Sequence, residues 1–247
     1  MKTITILNHK GGVGKTTTAI NLAGALEQKG FKILLIDADP QANLTKGLGV
    51  EENNSLFNAL VNDVSMEVVQ VSDNLFVCPS SIKSSDIETE LLNKIARENK
   101  LNKALKPLAD AFDFCIIDCP PNLGLITINA INACNEVLIP MEAKYFSYVG
   151  INSITNVIEQ IKENFNPNIN ILGLLFCNYN PQLVLSKELV QQVEQQYDNV
   201  FETKIRQNIA LSECSTPPNS THIFNYDEGA NGAKDYMSLA KEVLGRI

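Results

Sequence analysis

The sequence predicts an α/β fold with a doubly wound, mostly parallel sheet, and three observations lead there. Short apolar runs alternate along the chain with segments of helical character. The runs are apolar almost without interruption, as strands covered on both faces require. A glycine-rich string, Lys10-Gly11-Gly12-Val13-Gly14-Lys15-Thr16-Thr17, falls between the first run and the first helical segment, where such a sheet binds anions.

The elements follow in order. Residues 3–7 form the first strand, and 16–29 the first helix, closed by Gly30. Residues 32–36 and 75–78 read as strands, and 40–70 between them, rich in Asn, Ser and Gly, as loop. A helix over 85–105 precedes a strand over 112–118, and another strand covers 136–140. The helix over 147–165 places Val149, Ile154, Val157, Ile158, Ile161 and Phe165 on one stripe. A strand over 169–177 and a helix over 186–196 come next, and 207–230 reads as loop. No repeat, linker or change of composition divides the chain, so residues 1–247 are expected to form one domain. At 247 residues and 45% hydrophobic content, that domain has enough apolar surface for a full core.

Composition excludes some classes of function. A net charge of −8 argues against a broadly basic nucleic-acid surface, while leaving room for a local patch. No apolar span is long enough for a membrane helix, and the first residues already read as strand rather than signal peptide. The six cysteines, Cys78, Cys115, Cys119, Cys134, Cys177 and Cys214, show no C-x-x-C spacing. Buried, reduced thiols of a cytoplasmic protein are expected instead.

The glycine-rich string carries the chemistry. Glycines let backbone N–H groups close around phosphate oxygens, and the helix behind them adds donors and a favourable dipole. Lys15 is placed to reach the β- and γ-phosphates, and Thr16 to ligate Mg²⁺. The common pattern G-x-x-x-x-G-K-[ST] needs a glycine at position 9, where this chain has His9; a second lysine, Lys10, leads the loop instead. Such a string arises by chance in a chain of this length with a probability of about 10⁻⁴. The predicted fold is therefore that of a P-loop nucleoside triphosphatase.

Ligands of such sheets sit at the carboxyl ends of the strands. The second strand runs into Asp37-Ala38-Asp39-Pro40-Gln41, where an aspartate is suited to orient a water or order a metal shell. Another strand ends in Ile116-Ile117-Asp118-Cys119-Pro120-Pro121. An aspartate after an apolar run suits a carboxylate that holds Mg²⁺ through water, and the prolines stiffen the next loop.

Together, the segments K-G-G-V-G-K-T-T, D-A-D-P-Q-A-N-L-T and F-D-F-C-I-I-D-C-P-P resemble the ParA/Soj branch of the ParA–MinD partition ATPases. The stretch 232–244 resembles that branch's last helix. The chain begins at the phosphate-loop strand, so the helix-turn-helix extension of larger relatives, and self-repression through it, are not expected. The resemblance implies a slow, Mg²⁺-dependent ATPase that forms an ATP-sandwiched homodimer. Lys10 matches the signature lysine that crosses to the partner's phosphates. Lys15 and Thr16 keep their phosphate and Mg²⁺ roles within the loop Gly11, Gly12, Val13, Gly14 and Thr17. Asp39 matches the residue that positions the attacking water, and Asp118 the aspartate behind the metal. The adenine is placed near Asn178 and Arg206.

The resemblance also implies a ParB-like or cargo-adaptor activator and nonspecific DNA binding by the ATP dimer, hence a cytoplasmic, nucleoid-associated protein. DNA contacts in this branch come from two late segments similar to 178–186 and 205–215. Gln182 and Ala210 stand here where arginines are expected, which predicts weaker binding with a flatter salt dependence. Lys204 and Arg206 are the named DNA candidates, with Lys187, Lys234, Lys241 and Arg246 behind them. Two other readings stay open. A MinD-like membrane switch would use the final stripe Tyr236, Leu239, Val243, Leu244 and Ile247. A metabolic or metallocluster-carrier ATPase would need cysteine spacing that this chain lacks.

Overall fold

A computed structural model describes residues 1–144 and 150–247. In chain order the elements are β1 (Lys2–Ile6), α1 (Lys15–Glu27), β2 (Ile33–Asp37), α2 (Asn43–Gly47), α3 (Ser55–Val61), β3 (Val69–Gln70), β4 (Leu75–Cys78), α4 (Ile87–Leu91) and α5 (Lys100–Leu105). They continue with β5 (Phe114–Asp118), α6 (Leu125–Ala133), β6 (Glu136–Glu142), α7 (Ile151–Asn164), β7 (Asn170–Cys177), α8 (Val184–Gln196), α9 (Ile209–Cys214), α10 (Ile223–Tyr226) and α11 (Asn231–Arg246).

One seven-stranded sheet has the order β3-β4-β2-β5-β1-β6-β7, parallel except for β3, which pairs antiparallel with β4 at the edge. Each central strand is buried along its whole length, as continuous apolar runs demand. One core cluster lies on each face of the sheet: α3, α5, α6 and α7 cover one, and α1 and α11 the other. From β1 the chain crosses to one side to make β2, and from β5 it returns across β1 to make β6. The strand order thus reverses at β1, and a crevice opens at the carboxyl end of β1.

The six expected strands are present, with ends within two residues of those predicted. The segment 85–105 is not one helix. Ala96 takes a left-handed backbone (φ 54°) and breaks it into α4, a 3₁₀ turn over 97–99 and α5. The broken backbone finds partners on α6: Asn129 Nδ2 donates to the Arg97 carbonyl at 2.8 Å and Asn132 Nδ2 to that of Glu98 at 2.9 Å. Stretches read as loop contain α2, α3 and β3 within 40–70, and α9 and α10 within 207–230. α6 is a further helix where none is predicted. In α7, Ile154, Ile158 and Ile161 are buried and Val157 packs at the edge of the core, but Phe165 lies past the helix end and is exposed. The predicted helix start at 147 and the Val149 of that stripe lie outside the described residues.

All six cysteines are reduced and buried, as expected. No cluster of metal-ligating side chains is found among the described residues, and no helix among them is long and apolar enough to cross a membrane. The apolar face of α11 is spent on the core, with Tyr236, Leu239 and Val243 buried against α1; Ile247 at its end is exposed.

Candidate nucleotide site

Asn8 fixes where the glycine-rich loop leaves the sheet. Its Nδ2 donates to the Pro140 carbonyl on β6 at 2.7 Å, and its Oδ1 accepts the Lys10 N–H at 3.0 Å. Gly12 (φ 73°) and Gly14 (φ 94°) are left-handed, and Gly14 caps the N-terminus of α1. A side chain at Gly14 would also meet Cys177 at 3.3 Å, so only glycine fits both the backbone and the space. The loop therefore presents backbone N–H groups and a helix N-terminus to one concavity.

That concavity is a cavity of about 520 Å³ lined by the loop glycines, Lys15, Thr16 and Thr17 on one side and by Asp39, Gln41, Asn43, Lys46 and Gly47 on the other. Lys15 is buried, and its ammonium donates to the Lys10 carbonyl at 3.1 Å. Burial lowers its pKa, opposed by the charges of Asp118 and Asp39. Thr16 Oγ1 donates to Asp118 Oδ2 at 2.6 Å, whereas Asp118 Oδ1 is buried with no hydrogen-bond partner among the described residues. Burial, followed by the neighbouring Asp37 carboxyl, pushes the Asp118 pKa well above the usual carboxylate range. Asp39 Oδ1 accepts the Gln41 N–H at 2.9 Å, which holds the carboxylate against the cavity wall.

A second cavity, of about 220 Å³, shares Gly12, Gly14 and Thr17 with the first and continues past Cys177, Asn178, Arg206, Gln207 and Tyr236. Phosphates on the loop with a nucleoside in the second cavity fit this arrangement. The predicted residues Lys15, Thr16, Asp39 and Asp118 thus converge, and Asn178 and Arg206 line the adjoining space. Lys10 contributes its backbone to the loop, and its half-buried side chain belongs to neither cavity wall.

A family model described as an AAA domain matches residues 1–171. The chromosome-partitioning ATPase Soj of Treponema pallidum is 38% identical over 249 residues, covering 99% of this chain and 98% of that one. The chain belongs to the ParA/Soj family. Among solved structures, McdA from Cyanothece, an aspartate-to-alanine variant in complex with ATP, superposes with a TM-score of 0.88 at 28% identity, covering all of this chain and 97% of that one. Cobyrinic acid a,c-diamide synthase from Mycobacterium smegmatis, with a bound ATP analogue and magnesium, gives 0.86 at 28% identity, covering 99% of this chain and 94% of that one. The ParA/Soj assignment fits the deviant phosphate loop and the α/β sheet together.

The other residues named from the ParA/Soj resemblance fall as follows. Lys204 pairs with Glu194 at 2.9 Å, and Arg206 is held by both oxygens of Asp235, at 2.6 Å for the shorter contact. Arg246 is clamped by Glu242 and by the carbonyls of Leu172 and Val200. Lys187, Lys234 and Lys241 have no ion pair among the described residues. Gln182 is exposed beside Leu183, Val184 and Leu185, which are more than half exposed, and Ala210 follows the exposed Ile209.

Several residues of the site had no sequence signal of their own. Asp37, fully buried, accepts the Asp39 N–H at 3.2 Å and both the N–H and the hydroxyl of Thr45, at 2.9 and 2.7 Å. Thr45 Oγ1 in turn accepts the Ser80 N–H at 3.1 Å. This brace ties β2, α2 and the end of β4 together under Asp39. The D-x-D spacing marked the place, but the partner eight residues on was not legible.

Proposed function

We propose that this ParA/Soj chain is a Mg²⁺-dependent ATPase that closes around ATP as a homodimer and binds DNA without sequence preference. A ParB-like or cargo-adaptor protein triggers hydrolysis and release, so that the cycle positions a plasmid, a chromosome region or a protein assembly. The observation that carries this reading is that Lys15, Thr16 and Asp39 line one cavity with Asp118 bonded behind Thr16, while Lys10 is left outside it.

Each side chain has a task that its surroundings support. The loop N–H groups and Lys15 grip the phosphates, and the charges of Asp118 and Asp39 favour its ammonium against the burial that disfavours it. Asp39, fixed by the Gln41 N–H, orients a water toward the terminal phosphate. The unpartnered Asp118 Oδ1 and its hydroxyl neighbour Thr16 fit a hydrated Mg²⁺, with Thr16 as the direct ligand. Bound Mg²⁺ supplies charge neutralisation at the phosphates. Asn178 and Arg206 face the nucleoside. With Asp39 as the positioning group and no stronger base beside it among the described residues, intrinsic hydrolysis is slow, and the nucleotide serves as a timer.

Lys10 makes that timer a report on dimerisation, since its ammonium serves the partner's phosphates. Strands from residue 2 to 177 in a single sheet support reading residues 1–247 as one ATPase domain. The burial of the α11 stripe favours a DNA or protein matrix over a membrane one, and hence a cytoplasmic, nucleoid-associated protein. A titration of ATPase rate against duplex DNA tests the whole reading. Hydrolysis that needs Mg²⁺, is slow alone and changes with DNA is the expected result. Rapid, DNA-indifferent turnover with a small-molecule acceptor would place the chain with the metabolic enzymes of this fold.

A further inference from the structure

A second lysine stands in the wall of the phosphate cavity. Lys46 lies in α2, opposite the glycine loop and in the same cavity as Lys15, Thr16 and Asp39. Its ammonium donates to the Gln41 carbonyl at 2.9 Å and pairs with Glu52 Oε1 at 3.2 Å. The Lys46 side chain is 54% exposed and that of Glu52 39% exposed, so their pair is one that water screens and a stronger anion displaces.

The backbone beneath it is fixed. Thr45 is locked to Asp37 through two hydrogen bonds, Ala42 starts α2 in a left-handed conformation, and Gly47 packs where a side chain would strike Ile20 at 2.9 Å. Lys46 therefore combines an anchored Cα with a mobile four-carbon stem and a weakly held charge. A nucleoside triphosphate on the loop would put several negative oxygens into the space that this stem borders.

We propose that Lys46 is a catalytic residue whose ammonium leaves Glu52 and contacts the terminal phosphate of the bound nucleotide, with Glu52 as its resting counter-ion. The proposal rests on the reading of this cavity as the ATP site. It adds to Lys15 a second cation supplied by the same subunit, and its contact exists only when a third phosphate is present. No bond to Lys46 forms or breaks; it stabilises charge on the transferred group.

The test compares ATP and ADP binding, each with Mg²⁺, by isothermal titration calorimetry in the full chain and in Lys46→Gln, Lys46→Arg, Glu52→Gln and the Lys46→Gln/Glu52→Gln double variant. Loss of one charge-assisted contact predicts ATP affinity lower by about tenfold or more in Lys46→Gln, with ADP affinity nearly unchanged. Lys46→Arg restores part of the ATP affinity. Glu52→Gln frees the lysine and raises ATP affinity by about two- to fivefold, because a screened pair is lost. The double variant matches Lys46→Gln.

Equal effects on ATP and ADP, or a hydrolysis defect with unchanged ATP preference, would reduce Lys46 to a brace for Gln41 and overturn the proposal. So would a Glu52→Gln gain that persists without Lys46. A folded wild-type chain that binds neither nucleotide would instead sink the ATP-site reading itself. Wild-type binding with Lys46→Gln indistinguishable from it sinks only the Lys46 contact.

Discussion

Thr16 and Asp118 join α1 to the end of β5 through a 2.6 Å hydrogen bond that satisfies one carboxylate oxygen and leaves the other, Oδ1, buried and without a partner among the described residues. A buried polar group left in this way costs about 1–3 kcal/mol unless something answers it. Its position behind Thr16 makes a hydrated cation the partner that fits.

Asp118→Asn therefore weakens the Mg²⁺ dependence rather than the grip on the nucleotide itself. The expected result is a loss of about 10- to 100-fold in Mg²⁺ affinity in the presence of ATP. Nucleotide binding measured with EDTA stays close to that of the native chain. Titration of Mg²⁺ into a fluorescent ATP analogue complex checks both numbers, and an unchanged Mg²⁺ midpoint would remove Asp118 from the metal shell.

Burial of Asp37 predicts a pH-dependent stability whose sign follows from its raised pKa. Burial pushes its carboxyl from 3.8 up to about 6, against the hydrogen bonds from Thr45 and from the Asp39 N–H. The folded chain thus holds this proton more tightly than the unfolded chain does. The stabilisation linked to the proton is complete below 3.8 and is lost as pH rises through about 6. Asp37→Asn removes this titration. The gap in unfolding free energy between native chain and variant should shift by about 2 kcal/mol from pH 4 to pH 8, against the native chain at the higher pH. Urea melts across that range measure it, and a gap independent of pH would contradict the assignment.

What the sequence made legible and what it hid divide along one physical line. The phosphate loop, Asp39 and Asp118 sit at strand ends, where local pattern and position in the sheet agree. The strands themselves were readable because burial on both faces imposes one composition. Segments whose conformation is decided by distant partners were not. The helix expected over 85–105 breaks at the left-handed Ala96 because Asn129 and Asn132 on α6 accommodate its backbone. α6 itself is rich in isoleucine and apolar on most sides, so its pattern lacks a helical stripe. α2 begins at Ala42, with φ 54°, instead of a residue that caps through its side chain. Asp37 and Lys46 gain meaning only once Thr45, Gln41 and Glu52 have been brought to them.

The DNA interface predicted from Lys204 and Arg206 has a strength set by their partners. Arg206→Glu would confront the mostly buried Asp235 with a second negative charge, so its loss of function would confound folding with binding. Lys204→Glu is cleaner, since its pair with Glu194 is partly exposed. ATP-dependent anisotropy with duplex DNA should show binding weakened several-fold in Lys204→Glu. Log affinity should fall against log salt with a slope of about −0.9 for each phosphate that the site neutralises. Absence of wild-type binding at low salt would rule out DNA as the matrix.

Dimerisation separates the two lysines of the loop. In the proposed cycle Lys15 grips the phosphates within its own subunit, so Lys15→Ala should abolish ATP binding. Lys10 stands outside the cavity walls with its backbone held by Asn8 and its carbonyl by Lys15, so its side chain is dispensable for folding the loop. Lys10→Ala should bind ATP and remain monomeric. Asp39→Ala keeps every phosphate contact but loses the group that orients water, so ATP persists and the dimer accumulates. Size-exclusion chromatography with light scattering, run with ATP and Mg²⁺ and with bound nucleotide assayed in the eluted peak, distinguishes the three outcomes. A monomeric Asp39→Ala variant with ATP bound would overturn the sandwich mechanism, because the stable nucleotide would then have failed to join two subunits. Lys10→Ala dimers would show that the second lysine serves its own site.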